Sequence, residues 1–257
     1  MPTTDRLTVV LVHGFMDDSA IWSATRSHLT ADVDIVAVDL AGGSGDPSAA
    51  GPFTLHRFVD DVTATIDAVE GPVVLVGHSM GTQISELAAA QRSDAVRGLV
   101  LLTPIPLAGM HMPAEFADGM KALPLAPVEH QRAARLGLSA NFSTDELDRL
   151  ITAGGAVPPS TVSDVLDVWN DGTPQGHQPS DYSGPVLILP GAADPFATAE
   201  LIAGGVSSRF SDVEVLPVPG AGHWPHVEAP TFVAAHIDAF IDARVTSPAQ
   251  PSSVGEA

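Results

Sequence analysis

The sequence predicts an α/β fold, with a doubly wound, mostly parallel sheet of about six strands flanked by helices. Short apolar runs rich in β-branched residues recur along the chain, and segments with helical periodicity lie between them. A third observation is one long interruption, residues 104–183, which contains no convincing strand. There we expect an all-helical insertion lying over the strand ends.

The six candidate strands are continuous apolar runs and do not alternate with polar residues. Such runs are typical of strands covered on both faces, as in a parallel sheet between two helical layers. In chain order they span residues 7–12, 34–40, 72–76, 97–102, 185–190 and 213–218.

Apolar stripes at helical spacing predict the helices. One stripe runs over residues 55–69 and another over residues 232–241. Inside the insertion, Ser143 and Glu146 form a capping-box pattern ahead of a helix. A further helical stripe covers residues 162–169.

These patterns divide the chain into two units and a tail. Residues 1–103 and 184–246 form the predicted α/β core, and residues 104–183 form the predicted helical unit. Residues 247–257 are rich in proline and serine, so we expect them to be disordered.

Charge argues against two classes of partner. The 257 residues include 11 Lys and Arg against 31 Asp and Glu, which gives a formal net charge of −20. Such a surface repels phosphate backbones and anionic membranes, so we expect neither nucleic acid nor a membrane as a partner. The acidic pairs, Asp17-Asp18 among them, are interpreted as mostly solvated faces.

Cysteine content and the N-terminal run bear on chemistry and location. The chain has no cysteine, which excludes disulfides, thiolate catalysis and zinc–thiolate sites. The apolar run at residues 7–12 is too short for a signal segment or a membrane span. The cytoplasm is therefore the expected location.

A serine between two glycines follows the third candidate strand. The segment Gly77-His78-Ser79-Met80-Gly81 fits the pattern G-x-S-x-G in a strand–turn–helix context. A sharp turn there would strain the serine backbone and expose its hydroxyl, while side chains at the glycine positions would collide with the strand and helix. The amides at the start of the following helix favour negative charge at the same place. Ser79 is therefore the predicted nucleophile.

A serine nucleophile needs a base, and the base needs an orienting acid. In this architecture the chain order is Ser, then Asp or Glu, then His, each in a loop after a strand. Asp194 follows the fifth candidate strand and His223 follows the sixth. The loop after the fourth strand offers no carboxylate, and Asp39 after the second is interpreted as structural. The predicted triad is Ser79, His223 and Asp194.

Two alternatives concern this histidine loop. His226 could act as the base, but His223 follows Gly222 directly after the strand and is preferred. His223, His226 and Glu228 could also resemble metal ligands. Because a helix is predicted to begin there and the sequence contains no other ligand cluster, we expect no metal site.

An acyl-transfer reaction also needs donors for the developing oxyanion, each worth roughly 3 kcal/mol in the transition state. Met80, the residue after the nucleophile, should supply one backbone N–H. The loop after the first strand should supply the other, from Phe15, because Gly14 allows the backbone to approach closely. His13 is interpreted as an anchor of that loop, and His78 as a residue that supports the site without contacting substrate.

Together these motifs resemble the α/β-hydrolase superfamily over residues 7–245. The resemblance rests on HGF at 13–15, GHSMG at 77–81, GAADP at 191–195 and GAGHW at 220–224. Sheets of that family usually have eight strands and begin with an antiparallel pair, whereas this chain opens on the third. The resemblance therefore implies a sheet shortened at one edge, and it implies that the insertion is a cap that shapes the substrate pocket.

The resemblance also narrows the chemistry. Ser79 excludes the haloalkane dehalogenase and epoxide hydrolase branches, which use an aspartate there. Carboxylesterases and lactonases fit best. Hydrolases that cleave carbon–carbon bonds of ring-fission products often have Trp after the histidine, as Trp224 here, but often have Asn at the position of His78. They also carry a carboxylate-binding arginine with no clear equivalent here. A hydrolase-like ligand receptor with slow turnover is a further alternative.

We therefore expect a cofactor-independent serine hydrolase of small, largely apolar esters or lactones, as a monomer or small homo-oligomer. Three cap residues and the residue after the histidine are expected to bind substrate: Met112, Phe142, Trp169 and Trp224. The basic residues of the cap are interpreted as lying on exposed helix faces: Lys121, Arg132, Arg135 and Arg149. No dedicated anion pocket is expected, and this favours an uncharged substrate.

Overall fold

The computed structural model describes residues 6–246 and contains a six-stranded sheet in which every neighbouring pair is parallel. The strands are β1 Thr8–Val12, β2 Asp34–Val38, β3 Val73–His78, β4 Val96–Leu102, β5 Val186–Leu189 and β6 Val213–Val215. Their spatial order is β2-β1-β3-β4-β5-β6. The predicted fold class is confirmed, and each of the six candidate runs overlaps a strand, although β3 continues to His78 and β4 begins at Val96.

The strand order creates a switch point at β1. The chain steps from β1 to β2 on one side and returns to β3 on the other, so that Thr8 pairs with both Asp34 and Val73. At such a point the loops after neighbouring strands diverge and leave a crevice at the carboxyl ends of the strands. The HGF loop and Ser79 follow β1 and β3, so both lie at this crevice.

Helices cover both faces of the sheet and fill the connection between β4 and β5. The α-helices are α1 Ser23–His28, α2 Leu55–Ala68, α3 Met80–Gln91, α4 Ala114–Ala122, α5 Val128–Leu138, α6 Thr144–Ala156, α7 Pro159–Asp171, α8 Ala199–Gly205, α9 Pro225–Glu228 and α10 Pro230–Phe240. Short 3-10 segments occur at Ser19–Trp22, Leu123–Leu125, Pro174–His177 and Ser207–Arg209, and a π-helical turn at Ile241–Thr246. No helix within residues 6–246 has both the length and the apolar character that crossing a membrane requires.

Alternate side chains of the central strands belong to two separate hydrophobic clusters. Val10 and Leu75 pack in the cluster that contains residues of α2 and α3. Val9 and Val74 pack in the cluster that contains Ile237 of α10. Both faces of the strands are therefore buried, and this explains why the runs are continuously apolar.

The sixth strand ends earlier than predicted. Hydrogen-bonded strand geometry stops at Val215, although Leu216 still donates to Ile188 O at 2.9 Å and Val218 forms an isolated bridge with Gly191. Pro217 lies between them and has no N–H to donate, so the regular ladder is interrupted there.

Between β4 and β5 the described residues form helices α4 to α7 and no strand. The predicted capping box is present: Ser143 Oγ accepts from the Glu146 N–H at 3.2 Å, and Glu146 Oε2 accepts from the Ser143 N–H at 2.9 Å. The boundaries of the core and of the helical unit stay predictions. The tail predicted at 247–257 lies outside the described residues.

Candidate active site

Ser79 occupies the sharp turn between β3 and α3. Its backbone has φ 50° and ψ −120°, a conformation that residues other than glycine rarely adopt. Glycine is required on both sides for close approach. A Cβ at Gly81 would lie 2.5 Å from Val12 O, and a Cβ at Gly77 would lie 2.6 Å from Gly81 O. The G-x-S-x-G pattern therefore has a steric cause in this fold.

The structure brings the three residues of the predicted triad into one hydrogen-bonded chain. His223 Nε2 lies 3.0 Å from Ser79 Oγ, and His223 Nδ1 lies 2.7 Å from Asp194 Oδ2. All three side chains are buried. Because the carboxylate can only accept, Nδ1 carries the imidazole proton and Nε2 is free to accept the serine proton. Asp194 is itself fixed, since its Oδ1 accepts from the Phe196 N–H at 2.8 Å.

Backbone hydrogen bonds fix the position of His223 on both sides of the residue. Its carbonyl oxygen accepts from His78 Nε2 at 2.8 Å and from Thr103 Oγ1 at 2.9 Å. Its N–H donates to Leu138 O at 2.7 Å. Burial holds the pKa of His78 well below its usual value of 6.5, so His78 is neutral and donates from Nε2. His78 therefore supports the main chain of the histidine loop.

Glu228, which in the sequence resembled only a metal ligand, is a second support of the histidine loop. Its buried Oε2 accepts from the backbone N–H groups of Ala140, Asn141 and Gly222 at 2.6, 2.9 and 3.0 Å. The same oxygen accepts from Ser139 Oγ at 3.2 Å, and Oε1 accepts from the Trp224 N–H at 3.1 Å. One carboxylate thus joins the histidine loop to the connection between α5 and α6.

The two predicted oxyanion donors are available. Among the hydrogen bonds of the described residues, the backbone N–H groups of Phe15 and Met80 have no protein acceptor. His13 anchors the first of these loops as predicted: its Nε2 accepts from the Leu40 N–H at 3.0 Å and its Nδ1 donates to Gly14 O at 2.8 Å.

The residues considered as alternatives to His223 and Asp194 have other roles in the structure. His226 is buried with its ring 4.4 Å from those of Trp22 and His78, and burial lowers its pKa well below 6.5. Asp39 accepts from the N–H and Oγ of Ser19 at 2.7 and 3.0 Å, the structural role predicted for it. Within residues 6–246, no group of three or more His, Asp or Glu is arranged to hold a metal ion.

Ser79 opens into a cavity of about 710 Å³ between the strand ends and the helices of the insertion. Trp169 and Trp224 both line this cavity, and their predicted role in binding substrate stays a prediction. Further apolar lining comes from both sides of the cavity, namely Phe15, Met16, Phe116, Met120, Leu138 and Phe196. The shape and lining suit a largely apolar small molecule.

Two predicted pocket residues lie elsewhere. Phe142 does not line the cavity, because it packs on the indole of Trp224 with ring centroids 5.3 Å apart. Met112 does not line it either. Its N–H donates to Asn170 Oδ1 at 2.9 Å and its side chain packs against the main hydrophobic core.

Two charged residues are buried at the cavity, contrary to their predicted exposure. Asp17 is 1 % exposed and Arg135 is 8 % exposed, and both line the cavity. Burial raises the pKa of Asp17, and burial lowers the pKa of Arg135. In the sequence, the position of Asp17 two residues after the predicted oxyanion donor Phe15 was the one feature that indicated its place at the cavity. Arg135 had no comparable signal, because only the packing of α5 turns it inward.

The parallel sheet, the hydrogen-bonded triad and the sequence together indicate the family to which the protein belongs. The family model described as "Alpha/beta hydrolase family" matches residues 9–236, and the chain belongs to this family.

Particular relatives are named as hydrolases. The chain is 30% identical over 241 residues to Lipase LipV of Mycobacterium tuberculosis, covering 89% of this chain and 91% of LipV. It is 27% identical to 2-(acetamidomethylene)succinate hydrolase of Mesorhizobium japonicum, covering 91% and 88% of the two chains. A thermophilic esterase from Thermogutta terrifontis has a similar fold, with a TM-score of 0.77 at 22% identity over 92% of this chain and 89% of the esterase.

Proposed function

We propose that the protein is a cofactor-independent serine hydrolase that cleaves small, largely apolar carboxylic esters or lactones through an acyl-enzyme. The observation that carries this proposal is the hydrogen-bonded chain from Ser79 through His223 to Asp194 at a mostly apolar cavity. The relatives named as a lipase and an esterase support the same chemistry.

In the first half of the reaction, Ser79 Oγ attacks the carbonyl carbon and gives its proton to His223 Nε2. Asp194 holds the imidazole with its proton on Nδ1 and stabilises the imidazolium that forms. The N–H groups of Phe15 and Met80 bind the oxyanion. His223 then gives the proton to the alkoxide as the carbon–oxygen bond breaks, which leaves an acyl group on Ser79.

In the second half, a water molecule replaces the alcohol. His223 Nε2 takes a proton from this water while its oxygen attacks the acyl carbon. The second tetrahedral intermediate collapses, and the proton on Nε2 returns to Ser79 Oγ. The products are a carboxylic acid and an alcohol, or one hydroxy acid from a lactone, and every proton transfer has a partner among these residues.

The test is hydrolysis of p-nitrophenyl esters of increasing acyl length, together with lactones, by the wild type and by Ser79→Ala. The wild type should turn over many times, and its preference for acyl length should reflect the size of the cavity. Ser79→Ala should lose turnover with an unchanged melting temperature. Triad chemistry of this kind is worth roughly 10⁶-fold in kcat.

Ser208→Ala is the matched control. Ser208 is exposed and its hydroxyl donates to Gly204 O, away from the cavity. The control should hydrolyse the esters like the wild type. Equal activity of Ser79→Ala and the wild type would rule out the proposed nucleophile, and failure of the wild type on every ester and lactone would rule out the proposed substrate class.

A further inference from the structure

Among the described residues that line the cavity, Arg135 is the only Lys or Arg, and its guanidinium is the cation of this site. Its Nη2 donates to Leu150 O at 3.5 Å, the long limit of a hydrogen bond. Its Nη1 lies 3.8 Å from Asp17 Oδ1, too far for a hydrogen bond. Nε and Nη1 have no hydrogen-bond acceptor in the part of the chain that the structure describes. A guanidinium carries five N–H donors, so most of the donors of Arg135 are unfilled.

The fold nevertheless holds this guanidinium in one place. Its Cζ lies 5.5 Å from the centre of the Trp224 ring, a cation–π distance. Gly154 of α6 leaves the space that Nη2 occupies, since a Cβ at that position would lie 2.7 Å from this nitrogen. Trp224 directly follows His223, so the guanidinium is fixed next to the histidine loop.

The charges around Arg135 indicate which kind of acceptor group would bind to its unfilled N–H donors. Asp17 is adjacent to Arg135, and Glu115 also lines the cavity. Asp17 balances the charge of Arg135, so an anionic group would approach a site that already contains carboxylates. The chain as a whole carries a net charge of −20. An uncharged acceptor avoids this repulsion and still accepts hydrogen bonds from the guanidinium.

We propose that Arg135 forms a polar subsite for a second, uncharged carbonyl group of the substrate. The preferred ester or lactone then carries a neutral hydrogen-bond acceptor in addition to the carbonyl that Ser79 attacks. This inference rests on the proposed function and specifies its substrate class.

The test compares esters that differ in one group. The acyl series consists of p-nitrophenyl esters with a plain chain, with one ketone moved carbon by carbon along the chain, and with a terminal carboxylate. A second series places the ketone in the alcohol part and follows acid release. In the wild type, at least one ketone ester should exceed its plain counterpart in kcat/KM by about tenfold, as expected for a hydrogen bond to a charged donor, and should also exceed the carboxylate ester.

Arg135→Met should lose this preference for the ketone ester. Arg132→Met is the matched control on the same helix, since Arg132 does not line the cavity, and it should keep the preference. If Arg135→Met unfolds because Asp17 loses its counter-charge, the double variant Asp17→Asn/Arg135→Met removes both charges. The same ratio is then measured on that variant, with the same expected loss.

The contrary outcomes are distinct. Equal kcat/KM for plain and ketone esters in the wild type, or a ketone preference that survives Arg135→Met, would overturn the subsite alone. Preference for the carboxylate ester would also overturn it, in favour of an anion site. Absence of all ester and lactone hydrolysis would overturn the proposed function and the subsite with it.

Discussion

Ser79 is held in a strained conformation from several sides. Its N–H donates to Leu102 O at 3.1 Å, and its carbonyl oxygen accepts from the N–H and Oγ1 of Thr82 at 2.9 and 2.6 Å. A residue in such a backbone conformation costs of order 1–3 kcal/mol, which the packing of β3 against α3 must offset. In return, the hydroxyl lies within hydrogen-bond distance of His223 before any substrate arrives. Little reorganisation is then needed for the attack.

The carboxylate of Asp194 gives the first residue-scale prediction. Asp194→Asn should lower kcat by roughly 10⁴-fold, because an amide nitrogen beside Nδ1 favours the imidazole tautomer with its proton on the wrong nitrogen. The melting temperature should change little, since the Phe196 N–H can still donate to the amide oxygen. Steady-state hydrolysis of a p-nitrophenyl ester measures the effect. Asp164→Asn, an exposed change on α7, is the control. A loss of tenfold or less in Asp194→Asn would remove Asp194 from the mechanism.

At the scale of elements, the site depends on how the loop of residues 222–224 is connected to its neighbours. Leu138 at the end of α5 accepts the His223 N–H, and Glu228 of α9 accepts from both this loop and residues 139–141. The histidine loop and the helical insertion are therefore joined by a shared carboxylate. Displacement of this connection should change both the position of the proposed base and the shape of the cavity.

Glu228→Gln tests this connection. The amide can accept through one oxygen only, and its NH₂ group would face backbone N–H donors that the carboxylate now satisfies. We expect the free energy of unfolding to fall by about 2–4 kcal/mol, since a buried charged acceptor with several donors is lost. We also expect kcat for ester hydrolysis to fall because His223 shifts. Chemical denaturation and steady-state kinetics measure the two effects.

Glu129→Gln on the exposed surface of α5 is the control for Glu228→Gln. It should change the free energy of unfolding by less than about 0.5 kcal/mol. If Glu228→Gln is as stable and as active as this control, Glu228 does not position the histidine loop.

Local patterns predicted the elements and the triad, because each triad residue lies in the turn or loop after a strand and the sharp turn at Ser79 needs glycines at fixed offsets. Burial of charged side chains could not be predicted in the same way. Asp17, Arg135 and Glu228 have the residue types of a solvated surface, and only the docking of α5 and α9 against the strand ends buries them. Phe142 and Met112 show the converse case. Both were predicted to bind substrate, but the structure places them half-buried against neighbouring apolar side chains. Sequence spacing could not distinguish the cavity wall from the apolar layer beside it.

For the whole molecule, the buried histidines link stability to pH. Burial holds the pKa values of His78 and His226 well below 6.5, so the folded protein keeps both rings neutral. Below about pH 6.5, these two histidines bind protons in the unfolded chain, whereas both stay neutral in the folded chain until the pH approaches their lower pKa values. The contribution of these histidines to stability is therefore fully present above pH 6.5 and is lost as pH falls toward their folded pKa values.

His226→Phe isolates part of this pH dependence. Neither ring nitrogen of His226 is hydrogen-bonded within residues 6–246. Replacement by phenylalanine therefore removes the titrating group without breaking a side-chain hydrogen bond. Between about pH 7 and pH 5, the free energy of unfolding of the variant should fall less steeply than that of the wild type. One histidine can account for at most about 1.4 kcal/mol per pH unit. Urea denaturation across this range measures both slopes.

The exposed His56→Phe variant should keep the wild-type slope. Equal slopes for the wild type and His226→Phe would show that His226 is not a source of the pH dependence.

The most direct test of the central claim is covalent capture of the nucleophile. A p-nitrophenyl carbamate should react with the wild type to release one equivalent of p-nitrophenol, because a carbamoyl-enzyme hydrolyses far more slowly than an acyl-enzyme. Intact-protein and peptide mass spectrometry should then locate one carbamoyl group on Ser79, and Ser79→Ala should release no burst of p-nitrophenol and gain no mass. A carbamoyl group on another residue, or none on a wild type that hydrolyses the corresponding ester, would contradict the acyl-enzyme mechanism.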